Sequence, residues 1–144
     1  FARALIDAGA SMYIGHGHRA FDGIEVYNGR PLIRQLGGLA YQGLQPELGH
    51  YDEYRPWEGI LAEMTIQNGA VVSIGFIPLG LDEGTAYRSE YSDVGFLSRR
   101  GLAEVATGDQ ADSILARLRD LSAKYNTNLT IVDQRAVLEI RPGQ

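Results

Sequence analysis

The sequence predicts a protein of the α/β class in which strands outnumber helices. Three observations predict it. A short amphipathic stretch at the start passes through a glycine into an apolar run, the pattern of a helix feeding a strand. Two Asn-Gly dipeptides each sit between segments of alternating polarity. One long stretch with an apolar stripe of period 3.6 precedes two β-branched runs near the end.

Taken in order, Ala2, Ala4, Leu5 and Ile6 form the last turns of an amphipathic helix, and Gly9 sits where a left-handed C-terminal residue belongs. Ala10-Ser11-Met12-Tyr13-Ile14 then reads as a buried strand, ending at Gly15-His16-Gly17-His18-Arg19. Gly23 to Tyr27 alternates in polarity, Asn28-Gly29 supplies the two positive-φ residues of a type I′ turn, and Pro31 to Leu36 returns. Pro at the start of that strand is tolerated because it need not donate to the ladder. Gly37-Gly38 ends it. Residues 43–56 read as a long loop, of a length that is often functional. Trp57 to Gln67 and Ala70 to Leu79 make a second hairpin around Asn68-Gly69. Within it Ile60, Ala62, Met64 and Ile66 share one face, and Leu61, Glu63 and Thr65 the other. Residues 81–101 are polar and irregular. Thr107-Gly108-Asp109-Gln110 has the form of a capping box, and Ala111, Ile114, Leu115, Leu118 and Leu121 line one stripe of the helix behind it. Asn126 terminates that helix. Leu129 to Val132 and Ala136 to Ile140 are closing strands.

Composition narrows the function. The 144 residues carry 13 Lys+Arg against 18 Asp+Glu, a net charge of −5. That sign speaks against nonspecific nucleic-acid or anionic-membrane binding, which needs clustered cations. Cysteine is absent, which removes disulfides, thiolate metal sites and cysteine nucleophiles. No apolar run reaches the ~18 residues of a membrane span. The chain opens inside a helix without an initiator Met or a signal-peptide pattern. It therefore reads as the C-terminal part of a longer domain, with part of any active site contributed from elsewhere.

The candidate chemistry lies at Gly15-His16-Gly17-His18. Ligands of open α/β sheets gather at the carboxyl ends of strands. Two imidazoles two residues apart on a glycine-flanked turn can face one cleft, and neutral imidazole is a common nitrogen ligand for divalent metals. Two ligands do not complete a site, which usually has four or more. The plain alternative is a turn with two partly exposed histidines. His50, in the long loop, is the only other histidine. Arg99-Arg100 matches a carboxylate or phosphate bidentately, and Tyr41-Gln42 falls near the histidine turn if the first hairpin folds back. Asn128-Leu129-Thr130 has the form of a glycosylation acceptor. There is no P-loop, no Gly-x-Ser-x-Gly and no His-Glu-x-x-His.

The order of these pieces resembles the CapA family, the capsule and poly-γ-glutamate synthesis proteins, which are similar to calcineurin-like metallophosphoesterases. The resemblance is carried by Ala4 to Ala10, Ile14 to His18, Gly23 to Leu32 and Leu36-Gly37. Trp57 to Ala62, Ile77-Pro78-Leu79, Ser98 to Gly101, and Ile114 through Thr127 continue it. It spans nearly the whole chain and corresponds to the C-terminal half of such a protein. It implies a four-layer α/β/β/α sandwich with a metal centre at the strand ends, holding divalent Mn, Fe or Zn. Asp, Asn and further His ligands would come from the N-terminal half. His16 and His18 would be metal ligands, His18 also the catalytic group. Arg19, Tyr41, Gln42, Arg99 and Arg100 would bind an anionic substrate such as a glutamyl carboxylate. Two departures stand out. CapA proteins usually read Gly-His-x-Pro-His, so His18 falls where Pro is expected and Arg19 where the second His is. The family's Ser-Leu-Gly-Asn stretch appears as Gln35-Leu36-Gly37-Gly38.

The resemblance thus implies a metal-dependent hydrolase or transferase acting on an amide, a peptide-like polymer or a phosphoester. The alternatives are a noncatalytic relative that binds a polyanionic polymer or a partner protein, and a plain β-rich interaction module. The first partner expected is the N-terminal half of the same protein; a homo-oligomer is possible, and the family resemblance allows a cell-envelope or extracytoplasmic location. Without the other half of the sandwich, one apolar sheet face would be exposed, so the chain is expected to need that half or a second copy.

Overall fold

A computed structural model describes residues 1–40, 57–81 and 101–140. They form a mixed arrangement of helices and sheets. Helix α1 (Ala2–Asp7) leads into β1 (Tyr13–Ile14), followed by the hairpin β2 (Ile24–Tyr27) and β3 (Arg30–Ile33). A longer hairpin follows, β4 (Glu58–Gln67) and β5 (Ala70–Gly80). Then come β6 (Glu104–Val105), α2 (Gly108–Ala123), β7 (Thr130–Val132) and β8 (Arg135–Glu139).

These make two sheets. The smaller has the order β1-β3-β2, with β1 parallel to β3 and β2 antiparallel to it. The larger has the order β4-β5-β8-β7, with β6 pairing β5 off that path. An isolated Gly37–Gly59 bridge joins the continuation of β3 to β4. The approach there is close: a Cβ on Gly59 would stand 2.1 Å from the Gly38 carbonyl oxygen.

Both Asn-Gly dipeptides turn as the sequence predicts, with φ of 51° and 69° at Asn28-Gly29 and 51° and 78° at Asn68-Gly69. Pro31 pairs with Val26. The Val26 N–H points away from β3 and donates to Thr127 Oγ1 at 3.2 Å, so this pair exchanges no ladder hydrogen bond across the hairpin. The proline therefore costs the hairpin no donor. On the same outer edge of β2, the buried Ile24 N–H donates to Ser122 Oγ at 3.0 Å, while the Ser122 hydroxyl donates to the Leu118 carbonyl at 2.7 Å. One hydroxyl from the end of α2 and one from the segment after it thus close a strand edge that would otherwise be open to pairing.

The core forms where α2 meets both sheets. Ala111, Ile114, Leu115 and Leu118 of α2 are fully buried against Ile24 and Ile33 of the small sheet and Ile74, Phe76, Ala136 and Leu138 of the large one. Leu121, the last residue of the expected stripe, is only partly buried, and Ser122 takes the buried position beside it. The helix ends at Ala123 with Lys124 as its C-cap, earlier than the expected terminator Asn126, which takes a φ of 57° in the turn that follows.

Two expectations are corrected. β1 is not a buried strand: Ile14 is 40% exposed, because β1 is an edge of its sheet. Thr107 is the N-cap residue of α2, but no side-chain capping bond forms. Gly108 begins the helix with φ of +56°, and the Gln110 side chain lies against Gly80 instead of reaching back. The outer face of the large sheet carries Leu61, Ile77, Val132 and Val137 together with Glu63, Thr65, Ser73, Arg135 and Glu139; Leu61 and Val132 are exposed, and Arg135 pairs with Glu63 at 2.9 Å.

Candidate functional site

The histidine turn is built by the parallel pairing of β1 with β3. Both strands end on the same side, so residues 15–19 emerge beside residues 34–38. The Gly15 N–H donates to the Ile33 carbonyl at 2.7 Å and extends the ladder by one residue. A side chain at position 15 has no room, since a Cβ would lie 2.4 Å from the Arg34 carbonyl oxygen. Gly17 is required for a different reason, a φ of +117° that side-chain-bearing residues rarely adopt. His16 and His18 are both exposed on this turn.

Beyond the turn, the chain is held by Gln35. Its side-chain carbonyl accepts from the His18 N–H at 3.0 Å, and its main-chain carbonyl accepts from the Asp22 N–H at 3.2 Å. The His18 ring is oriented within that bracket. Its Nδ1 lies 3.2 Å from the Ala20 nitrogen and 3.4 Å from the Ala20 oxygen. With Nδ1 unprotonated, the Ala20 N–H donates to it; with Nδ1 protonated, it donates to the Ala20 carbonyl. In the second arrangement, for a neutral ring, Nε2 is the unprotonated nitrogen.

By type, an imidazole is a nitrogen ligand for divalent ions. A complete set needs about four, and among the described residues no group of three or more His, Cys, Asp or Glu gathers that could hold a metal. Arg19 is exposed and adjoins the turn. The remaining expected substrate residues, Tyr41, Gln42, Arg99 and Arg100, lie outside the described residues, as do His50 and residues 82–100 of the second polar segment. The described ends that flank those segments do meet. Ala40 bridges Leu102, the Leu81 N–H donates to the Trp57 carbonyl at 2.9 Å, and the Gly101 N–H donates to the Leu81 carbonyl at 3.0 Å. The Leu36 carbonyl accepts from the Ile60 N–H at 2.7 Å, which ties this junction to the segment that follows Gln35.

Sequence reasoning missed a cluster of charges next to the site. Glu25 on β2 is 2% exposed and is held by two arginines, Arg3 of α1 at 2.6 Å and Arg34, which follows β3. Burial alone pushes its carboxyl up, but the hydrogen bonds and charges of Arg34 and Arg3 outweigh that and hold it below its usual value. Arg34 also lies over the Tyr125 ring at 4.4 Å. A second buried acid, Glu58 at the start of β4, pairs with Arg117 of α2, whose guanidinium stands 4.5 Å over the Phe21 ring. No periodicity or short motif marks such partners, because each pair joins residues distant in sequence.

No family model matches the chain. Two proteins of Sinorhizobium fredii, the uncharacterized proteins y4sH and y4uA, are each 34% identical to it over 166 aligned positions. The match takes in 96% of this chain and 36% of each relative, so the chain spans little more than a third of the curated relatives it matches. Among the described residues, no helix is long and apolar enough to cross a membrane.

Proposed function

We propose that this chain is the C-terminal part of a CapA-like, metal-dependent enzyme acting on an amide or peptide-like polymer or on a phosphoester, as in poly-γ-glutamate or capsule biosynthesis. One observation carries the reading: two exposed histidines stand on a glycine-shaped turn at the carboxyl end of a strand whose parallel neighbour braces it. In this reading the two sheets and two helices are half of a four-layer α/β/β/α sandwich, and the N-terminal half of the same protein supplies the remaining ligands. A divalent ion bound there supplies Lewis acidity and an activated water. His16 and His18 hold it through ring nitrogens. In this reading His18 is the catalytic group through the ion it would hold, with its Nδ1 side turned to Ala20. Arg19 adjoins the turn and offers a guanidinium to an anionic substrate.

A second reading rests on the lack of any third ligand near the turn among the described residues. It is a noncatalytic relative that binds a polyanionic polymer or a partner protein. The two are separated by assaying the full-length protein, loaded with Mn, Fe or Zn, on a γ-glutamyl amide and on a phosphodiester. The first reading predicts metal-dependent turnover of one substrate class, abolished by chelation and in His18→Ala. Absence of turnover on both, with metal bound, selects the binder.

A further inference from the structure

We infer that Asn68 is a site of spontaneous covalent modification, deamidating to aspartate and isoaspartate, while Asn28 in the same dipeptide is protected by α1. Asn-Gly favours this reaction because glycine has no side chain to screen the nitrogen that attacks. The chain carries the dipeptide twice, each time in a two-residue hairpin turn with positive φ at both positions. The five-membered ring of the intermediate needs a backbone angle at Asn that a closed turn of this type does not have. Reaction therefore proceeds through local opening, and the contacts that hold each turn set its rate.

Those contacts differ. Asn28 is docked onto α1: its Nδ2 donates to Asp7 Oδ1 at 3.3 Å, and the Tyr27 hydroxyl donates to Asp7 Oδ2 at 3.4 Å. On the other side of that turn, Arg30 donates to the carbonyls of Ile6 and Ala10. Asn68 stands at the tip of the β4–β5 hairpin, and no described residue is hydrogen-bonded to its side chain. The register shifts between Thr65 and Ile66, so only the pairs Ile66–Val71 and Gln67–Ala70 hold the tip beyond the bulge. Residues 65–70 are all exposed, and a Cβ on Gly69 would meet nothing within 4 Å.

The chemistry needs only water. The Gly69 amide gives its proton to a solvent base and its nitrogen attacks Asn68 Cγ. The new N–Cγ bond replaces the Cγ–Nδ2 bond, and Nδ2 takes up a proton and leaves as ammonia. Water then opens the cyclic imide. Attack at Cγ gives aspartate; attack at the main-chain carbonyl gives isoaspartate, with the chain running through Cβ and Cγ. Either product adds one negative charge to the tip, and isoaspartate lengthens the backbone beyond what a two-residue turn accommodates.

The test incubates the full-length protein at mildly alkaline pH, folded and in urea, and follows peptides containing residues 28 and 68 by mass spectrometry. In the folded protein Asn68 is expected to convert about tenfold faster than Asn28, the effect of one hydrogen bond to a charged acceptor. In urea the two rates should converge. Asp7→Ala is expected to raise the Asn28 rate toward that of Asn68 and leave Asn68 unchanged. Equal rates in the folded protein, or an Asn68 that converts only in urea, overturn the inference. A ratio that persists in urea assigns the difference to neighbouring sequence and overturns protection by α1. An Asn28 that stays slow in Asp7→Ala overturns it as well. The comparison of folded with urea-treated wild type stands without any variant.

Discussion

Gly15 stands so close to Arg34 that a Cβ at position 15 would lie 2.4 Å from the Arg34 carbonyl oxygen. The neighbour is backbone and cannot swing aside. The start of the histidine turn is thus fixed by the end of β3. Gly15→Ala is expected to destabilise the protein by about 1–3 kcal/mol, the range for overpacking a tight site. Thermal unfolding checks this, and an unchanged midpoint would count against the close approach. At Gly17 a Cβ meets nothing within 4 Å, so Gly17→Ala is expected to cost only the strain of its φ.

Ser122 closes the edge of β2 through one hydroxyl that both accepts and donates. Ser122→Ala leaves the Ile24 N–H buried without its acceptor, and is expected to cost about 1–3 kcal/mol. Denaturant unfolding measures the loss, and hydrogen exchange places it: the Ile24 amide should lose protection far more than amides of β8.

Glu25 makes a prediction about acid. Its folded-state carboxyl titrates below the ordinary value of 4.5 because Arg34 and Arg3 outweigh the effect of burial. A depressed carboxylate contributes stability that is complete above the unfolded value and is lost as pH falls through the folded one. Glu25→Gln is therefore expected to be less stable than the wild type at pH 7, by about 1–3 kcal/mol for a hydrogen-bonded charge. The gap should narrow as pH falls below about 4.5. A gap that is constant from pH 7 to pH 3 in paired urea titrations would contradict the ion cluster.

Arg30 binds the end of α1, donating to the carbonyls of Ile6 at 3.1 Å and Ala10 at 2.7 Å. The Ile6 carbonyl also accepts from the Gly9 N–H at 2.9 Å, and Ala10 lies beyond the helix, so Arg30 ties the helix end to the segment that follows it. Arg30→Met should cost about 1 kcal/mol and speed hydrogen exchange in α1 and at Ala10, with β4 and β5 unaffected.

What the sequence made legible was local. Asn28-Gly29 and Asn68-Gly69 announce their turns because residues that accept positive φ are few. The stripe from Ala111 to Leu118 announces a helix and its buried face. The turn at Asp133-Gln134, with φ of 47° and 57°, gave no comparable signal, because neither residue is glycine and the tight turn is imposed by the pairing of β7 with β8. The Thr107 box was legible as a position and not as a set of bonds, since Gln110 is drawn toward Gly80 by tertiary packing. The histidine turn was visible as a motif. Its brace was not, because Gln35 lies 17 residues from His18 and reaches it only through the parallel pairing of β1 with β3. Arg3, Glu25 and Arg34 were hidden for the same reason.

The central claim, that His16 and His18 are metal ligands, is tested most directly by metal content. Elemental mass spectrometry on the freshly purified full-length protein, beside His16→Ala and His18→Ala, is the measurement. The account predicts stoichiometric Mn, Fe or Zn in the wild type and a large loss in both variants. A wild type that holds no metal and cannot be reconstituted, or variants that keep the wild-type content, would contradict it.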